Sequence, residues 1–371
     1  MNSKDLVGKI LEPADIVVNG DRPWDIQVHN EKLYDRVLAK GTLGIGESYM
    51  DGWWDCGEID ELVNRMIRVG GDKVVARSFS NALRVIKAKL INLQTESGSK
   101  KVAREHYDLG NDMYMAFLDP YNQYTCGYFK DTEDLDVAQE QKLDLICRKL
   151  KLKSTDKVLD IGCGWGGFAK YAAEHFGCHV TGISISDEQI AYAKEFTKGL
   201  SVEIINADYR EIKGKYDKVL ICGMIEHVGY KNYRKIMEII KKVLVPDGIF
   251  LLHTIGRNDS KSIGFDAWIE KYIFPNSMVP SSQQIAKASE GLFVMEDLHN
   301  FGLYYDKTLL AWWKNFDASW SKFKDKYGER FYRMFRYYIL SCAGTFRGRK
   351  TLLWQMVFTH IEKKTQYESV R

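Results

Sequence analysis

From residue 156 onward, short apolar runs alternate with amphipathic stretches: "DKVLDIG", "GGFAKYAAEHFG", "HVTGISI", "SDEQIAYAKEF", "VEIINAD", "YDKVLICG", "YRKIMEIIKKVL" and "GIFLLHTIG". Brief apolar runs between helical patterns describe strands buried on both faces, and so a mainly parallel sheet with helices on either side. Folds of this kind bind ligands beyond the carboxyl ends of the strands, where the strand order reverses. Those ends read "VLDIG", "TGIS", "NADYR", "MIEHVG" and "LLHTIG", and chemistry is to be sought there first.

The rest of the 371-residue chain is organised around this core. Residues 1–95 mix strand-like runs ("ADIVVNG", "DIQVHN") with helical ones divided by Gly and Pro, the pattern of a small α+β domain. A polar linker at 96–101 leads into a catalytic domain at 102–371. In "ARSFSNALRVIKAKLINL", Phe79, Leu83, Ile86 and Leu90 share one helical face, with Arg77 and Arg84 opposite and Lys87 and Lys89 flanking. This is either a basic amphipathic helix lying on an anionic surface or a core-facing helix with a solvated back. The net charge of +3 does not point to nucleic acid, yet eight cations between Lys73 and Arg104 face one acid, Glu96. A 73–104 patch of this kind suits phosphate groups. The seven cysteines include no CxxC pair, so neither a disulfide framework nor a metal site is indicated. The N-terminal stretch lacks the apolar core of a secretory signal, and no run approaches the roughly 20 apolar residues of a membrane span. A cytoplasmic protein, peripheral to a membrane, is expected.

"VLDIGCGWGG" sets Gly162, Gly164, Gly166 and Gly167 at a strand-to-helix turn. Without a Cβ, glycine lets backbone N–H groups approach a ligand at a helix N-terminus. The spacing fits G-x-G-x-x-G, so a dinucleotide is one reading. Two features favour S-adenosylmethionine instead. Asp160 stands two residues before the first glycine, placed to take an ammonium directly or through water. The second strand ends "TGISIS", with no carboxylate for a nucleotide ribose, leaving Thr181, Ser184 and Gln189 as the polar groups there.

The glycine stretch resembles the first motif of class I S-adenosylmethionine-dependent methyltransferases, which have a Rossmann-like α/β fold. "EHYDLGNDMY", "YTCGYF", "DIGCGWGG", "GISISDEQ", "MIEHVG", "LLHTIG" and "KYIFPN" together resemble the cyclopropane-fatty-acyl-phospholipid synthases, over nearly the whole chain. The resemblance implies methyl transfer to a cis double bond in a phospholipid acyl chain, followed by loss of a methyl proton to close the ring. It also implies a bound bicarbonate as the base, held by Cys126, Glu226, His253 and Tyr305. His253 and Tyr305 are hydrogen-bond donors, the Cys126 thiol is a weak one, and Glu226 an acceptor. By the same resemblance Tyr124 and Thr125 of "YTCGYF" fall with the cofactor residues, and Asp208 and Tyr209 of "NADYR" would border the adenine. Dimerisation is a further implication. "ICGMIEHVG" is expected to run as a strand that presents Glu226 to the site and turns His227 to the opposite side as a structural residue.

Other readings of single residues stand beside these. His106 either caps a helix or borders the cofactor, and Cys342 lies near the site without a role. Residues 306–340 hold more aromatic rings than one core stripe needs, among them Trp312, Phe316, Trp320 and Phe335, so some are expected to line an acyl-chain tunnel. Rival activities are a relative that quenches the same cation with hydride or water, and an amine methyltransferase on the same architecture. RNA methylation is disfavoured because no Pro-Pro dipeptide is present to build a base-gripping loop.

Overall fold

The computed structural model describes residues 2–71, 110–260 and 266–371. The 73–104 basic stretch, the 96–101 linker and His106 lie outside those residues. The chain forms two compact units that are not contiguous, whereas the sequence suggested a single cut near residue 95. The first comprises Met1–Asn92, Ile263–Pro275 and Tyr305–Thr351; the second comprises Leu93–Ser262, Asn276–Tyr304 and Leu352–Arg371.

In the first unit, β1 (Gln27–Val28) and β2 (Trp54–Asp55) form a minimal antiparallel pair, and the other regular elements described are helical. Leu33, Trp54, Ile59 and Leu62 share their core with Leu340, contributed by the late helix Lys324–Arg347. A Cβ at Gly344 would collide with the Asp60 carbonyl oxygen, so this helix lies directly against the backbone of Ile59–Arg68. Arg347 holds the same junction with Asp60 at 2.6 Å and Asp306 at 2.9 Å. Arg333 donates to the Trp54 carbonyl at 2.8 Å and to Asp55 at 2.7 Å. The aromatic residues of Leu303–Ser319, the 3-10 turn Trp320–Lys322 and Lys324–Arg347 form a ladder, with ring centroids 4.3 Å apart for Phe316–Phe335 and 5.1 Å for Trp320–Tyr332. Trp312, Phe316 and Phe335 are buried. Cys342 lies on the same late helix, where burial pushes its thiol up to about 12.

The second unit is built on a seven-stranded sheet. Its strands are β3 (Lys157–Ile161), β4 (His179–Ser184), β5 (Val202–Asn206), β6 (Tyr216–Cys222), β7 (Leu244–Gly256), β8 (Phe293–Asn300) and β9 (Leu352–His360). Their order is β5-β4-β3-β6-β7-β9-β8, parallel from β5 to β7, with β9 antiparallel to both neighbours. The order reverses between β3 and β6, which puts the ligand crevice at their carboxyl ends. Alternation along the strands divides the core in two. Leu159, Ile161, Val219, Ile221, Phe250 and Leu252 pack on one face with helix Tyr233–Val243. Val158, Leu220, Ile249, Leu251 and Val357 pack on the other with helices Leu135–Leu150 and Gly167–Phe176. The first of these helices starts where the Asp134 carboxylate accepts from the Asp136 and Val137 amides at 2.9 and 3.1 Å, an N-cap. It ends where Lys151 turns left-handed at φ 52°.

Candidate active site

The glycine loop follows β3 as expected. Gly162 and Gly166 have φ of 85° and 83°, values a side chain tolerates poorly, and Gly166 opens the helix Gly167–Phe176. The amides of Gly162 and Cys163 both donate to the Ile183 carbonyl, at 2.9 and 3.0 Å, which hangs the loop on β4. Gly164 has φ 54° and open space where a Cβ would stand. At Gly167 a Cβ would collide with the Tyr121 carbonyl oxygen and the Gln123 side chain. Trp165 is held by its indole N–H on Asn111 Oδ1 at 2.8 Å, with the Tyr114 ring 5.0 Å away; Tyr114 in turn meets Tyr124 edge-on at 5.2 Å.

Asp160 is buried on the β3 side facing helix Leu135–Leu150, and burial pushes its carboxyl up to about 7, against the pull of Lys142. A ligand ammonium would reverse that shift by favouring the carboxylate. On β4, Ser184 accepts from the Ser186 amide at 3.2 Å and donates to Gln189 Oε1 at 3.4 Å, so both side chains are fixed at the strand end. Thr181 lies three residues earlier, and its side chain interacts with Tyr216, away from that end. Asp208 is paired with Arg210 at 2.8 Å, and the neighbouring Tyr209 hydroxyl is buried with no hydrogen-bond partner. The left-handed glycines, the desolvated carboxyl and the orphaned hydroxyl fit S-adenosylmethionine.

On the other side of the crevice, the strand expected to carry Glu226 stops at Cys222, and Ile225–His227 forms a single 3-10 turn. Glu226 and His227 therefore do not alternate across an extended chain. The turn is pinned by the Met278 amide, which donates to the Glu226 carbonyl at 2.7 Å. Glu226 Oε1 accepts from the Ile255 amide at 2.8 Å, whereas Oε2 is buried with no partner. Burial raises the pKa of this carboxyl, against the backbone amides and the Thr254 hydroxyl, which favour its charged form. His227 is half-buried, and desolvation lowers its pKa to about 4. His253 on β7 is buried, with Gln355 Nε2 3.3 Å from Nδ1 and no partner at Nε2. Burial, and then the positive charges of Lys142 and Lys149, hold its pKa well below the usual imidazole range, so the ring is neutral. Cys126 is fully buried, its thiol donating to the Gly127 carbonyl at 3.2 Å. Tyr305 belongs to the first unit, where its ring stacks on Phe346 with centroids 4.4 Å apart.

Two residues absent from the sequence reading are central here. Lys142 is completely buried; its ammonium donates to Gln123 Oε1 and to Thr125 Oγ1, the latter at 3.0 Å, and acts on Cys126, Cys222, Asp160 and His253. It joins the "YTCGYF" segment to the strand ends. Gln355 sits in β9, a strand buried at all nine positions, and a lone amide in so apolar a run was the available signal.

The glycine-built crevice at the switch point and the relatives of this chain together make it an S-adenosylmethionine-dependent methyltransferase. The profile described as "Mycolic acid cyclopropane synthetase" matches residues 94–356, and the chain belongs to that family. It is 48% identical to the cyclopropane-fatty-acyl-phospholipid synthase of Escherichia coli (strain K12), over 95% of this chain and 92% of that one. It is 33% identical to sphingolipid C9-methyltransferase A of Emericella nidulans, over 90% and 69%. Among solved structures, the cyclopropane synthase MmaA2 from Mycobacterium tuberculosis superposes with a TM-score of 0.65 at 27% identity, covering 70% of this chain and 97% of that one. Coclaurine N-methyltransferase, at 20% identity and a TM-score of 0.71 over 85% and 98%, shares the fold. Among the described residues no helix is long and apolar enough to cross a membrane, and no cluster of His, Cys, Asp or Glu is built to hold a metal.

Proposed function

We propose that this enzyme methylates the cis double bond of an unsaturated phospholipid acyl chain and closes a cyclopropane ring at the added carbon. The observation that carries the reading is the pair of buried atoms without partners, Glu226 Oε2 and His253 Nε2. A buried polar group left unsatisfied costs about 1–3 kcal/mol, which favours a ligand that both accepts from and donates to the site. Bicarbonate has that character. Methylation of an amine would need no such arrangement, and the name of the Escherichia coli relative supplies the substrate class.

S-adenosylmethionine, when bound, supplies the methyl group as an electrophile. Gly162, Gly164 and Gly166 would hold it through backbone approach, Asp160 through its ammonium, and Ser184, Gln189, Asp208 and Tyr209 around the nucleoside. Tyr124 and Thr125 would border the reacting end. An alkene is a weak nucleophile and leaves a carbocation on attack, so the surrounding residues have to exclude water and present aromatic faces. Bicarbonate, held by Cys126, Glu226 and His253, would supply the base for the methyl proton; Tyr305 joins them through the family pattern. A neutral His253 can offer an N–H from Nε2. Glu226 can accept through Oε2, and its raised pKa weakens the repulsion between two anions. The basic 73–104 stretch would meet lipid phosphates at the cytoplasmic face of the membrane, with the enzyme working as a homodimer.

Vesicles of a cis-monounsaturated phospholipid, incubated with methyl-labelled S-adenosylmethionine, test the reading by mass spectrometry of the released acyl chains. Gain of one CH2, disappearance of the double bond and slowing on bicarbonate depletion are expected. A methyl-branched or hydroxylated chain formed at a bicarbonate-independent rate would place the enzyme with the rival quenching chemistries. Unlabelled lipid with intact cofactor binding would turn the search to amine acceptors.

A further inference from the structure

Across the second unit's sheet, four side chains stand in register on the face covered by helix Leu135–Leu150. Cys222 on β6 pairs with His253 on β7, His253 with Gln355 on β9, and Gln355 with His299 on β8. On the next rung of the same face the central positions are apolar, Leu220, Leu251 and Val357, and the flanking ones are the buried carboxyl groups of Asp160 on β3 and Asp297 on β8. Lys142 and Lys149, two turns apart on the covering helix and both fully buried, face the first rung, with Lys149 Nζ 3.1 Å from His299 Nδ1.

The contact within the rung is directional. Gln355 Nε2 stands 3.3 Å from His253 Nδ1, and Gln355 Oε1 is buried with no partner. An amide nitrogen donates and cannot accept, so in this amide orientation His253 Nδ1 is the bare, accepting nitrogen. In a neutral ring the single proton then sits on Nε2. We infer that Gln355 is a positioning residue: it fixes the tautomer of His253 and so makes Nε2 a hydrogen-bond donor toward an anion in the active site. The backbones of both residues are held in the sheet. His253 lies between two backbone-paired strands, and its carbonyl accepts from the Gly223 amide at 2.9 Å. Gln355 has no exposed surface and is paired through the backbone on both sides.

The tautomer matters because the ring has no other way to donate at that position. Burial and the two lysines oppose an imidazolium, so Nε2 is either N–H or lone pair. A lone pair aimed at an oxyanion repels it. Were the Gln355 amide turned over, its oxygen would draw the proton to Nδ1 and leave Nε2 facing the anion as a second acceptor. One amide on the last strand of the sheet therefore decides the sign of the interaction made by a histidine about 100 residues earlier. This assignment deepens the bicarbonate reading and rests on it for its purpose, while the tautomer itself is independent of any ligand.

The test is a long-range proton–nitrogen correlation spectrum of ring-15N-histidine protein, with the His253 signals assigned by their loss in H253Q. In anion-free wild type, the spectrum should show Nε2 protonated and Nδ1 bare. Q355E keeps the shape but offers an acceptor, and should move the proton to Nδ1 while turnover falls on the order of 100-fold or more. Its S-adenosylmethionine Kd should stay within about twofold of wild type, since Gln355 is not on the cofactor side. Q355L should release the preference and give a mixture of tautomers with an intermediate loss. A wild-type ring protonated at Nδ1, or a Q355E protein whose tautomer switches with turnover intact, overturns the inference. Bicarbonate added to wild type should shift the Nε2–H resonance. If the tautomer is as stated but that resonance does not respond, the anion reading fails and the donor has no target.

Discussion

The two walls of the crevice are made differently. The wall at β3 and β4 is made of backbone: glycines with left-handed φ, amides committed to Ile183, and a helix that begins at Gly166. The wall at β6, β7, β9 and β8 is made of side chains brought into one rung from residues 222, 253, 355 and 299, with two lysines from residues 142 and 149 behind them. Backbone walls are local in sequence and intolerant of added atoms. Side-chain walls are assembled by strand register, and they tolerate changes of shape better than changes of hydrogen-bond direction.

The largest effect expected from this contrast is at Gly167. A methyl there meets the Tyr121 carbonyl, so Gly167→Ala should lose about 3 kcal/mol of stability and most of its cofactor affinity together. Urea denaturation and calorimetric titration would check both, and a fully stable variant with normal affinity would break the backbone half of the comparison. Glu226→Gln, on the opposite wall, should separate the two quantities. Turnover is expected to fall roughly 100-fold with the cofactor Kd nearly unchanged, by single-turnover kinetics and equilibrium dialysis. Loss of cofactor binding in that variant would put Glu226 on the wrong wall.

A smaller effect concerns acidity. The Asp160 carboxyl is raised from 3.8 to about 7 by burial, so between those values the folded protein keeps a proton that the unfolded chain has released. The contribution is therefore fully present below about pH 4, is lost as pH rises to about 7, and is constant above. Cofactor-free protein should weaken over that interval in chemical denaturation, and Asp160→Asn should flatten the decline. Smallest of all is Thr181→Val. With the side chain engaged by Tyr216, the change should cost about 1 kcal/mol of stability and leave cofactor affinity within about twofold. A tenfold loss of affinity would return Thr181 to the cofactor wall.

The contrast also governs what could be read from the chain. Strands β3 to β7 were legible because parallel strands buried on both faces leave unbroken apolar runs, and the glycine loop because four glycines in six residues have few other uses. Glu226 and His253 were found by the family pattern, yet the turn at Ile225–His227 was missed. An apolar run entering a 3-10 turn differs little from one continuing as a strand. Gln355 left only a lone amide in an apolar run, and strand register, which no local pattern announces, sets its partner His253, 102 residues earlier. Lys142 looked like one more solvated helix cation until the chain folded Gln123 and Thr125 onto it. The first unit escaped for a related reason: its core takes Leu340 from the far end of the chain, beyond most of the sheet.

That borrowing has a consequence during synthesis. Trp54, Ile59 and Leu62 leave the ribosome some 280 residues before Leu340, which shares their core. At about 5–20 residues per second, the apolar surface of these first helices waits roughly 14 to 56 s for its cover. During that interval the nascent chain offers a sticky patch to any chaperone within reach. A protein cut short before residue 305 would keep that patch for good, so premature termination should yield aggregate rather than a free N-terminal domain.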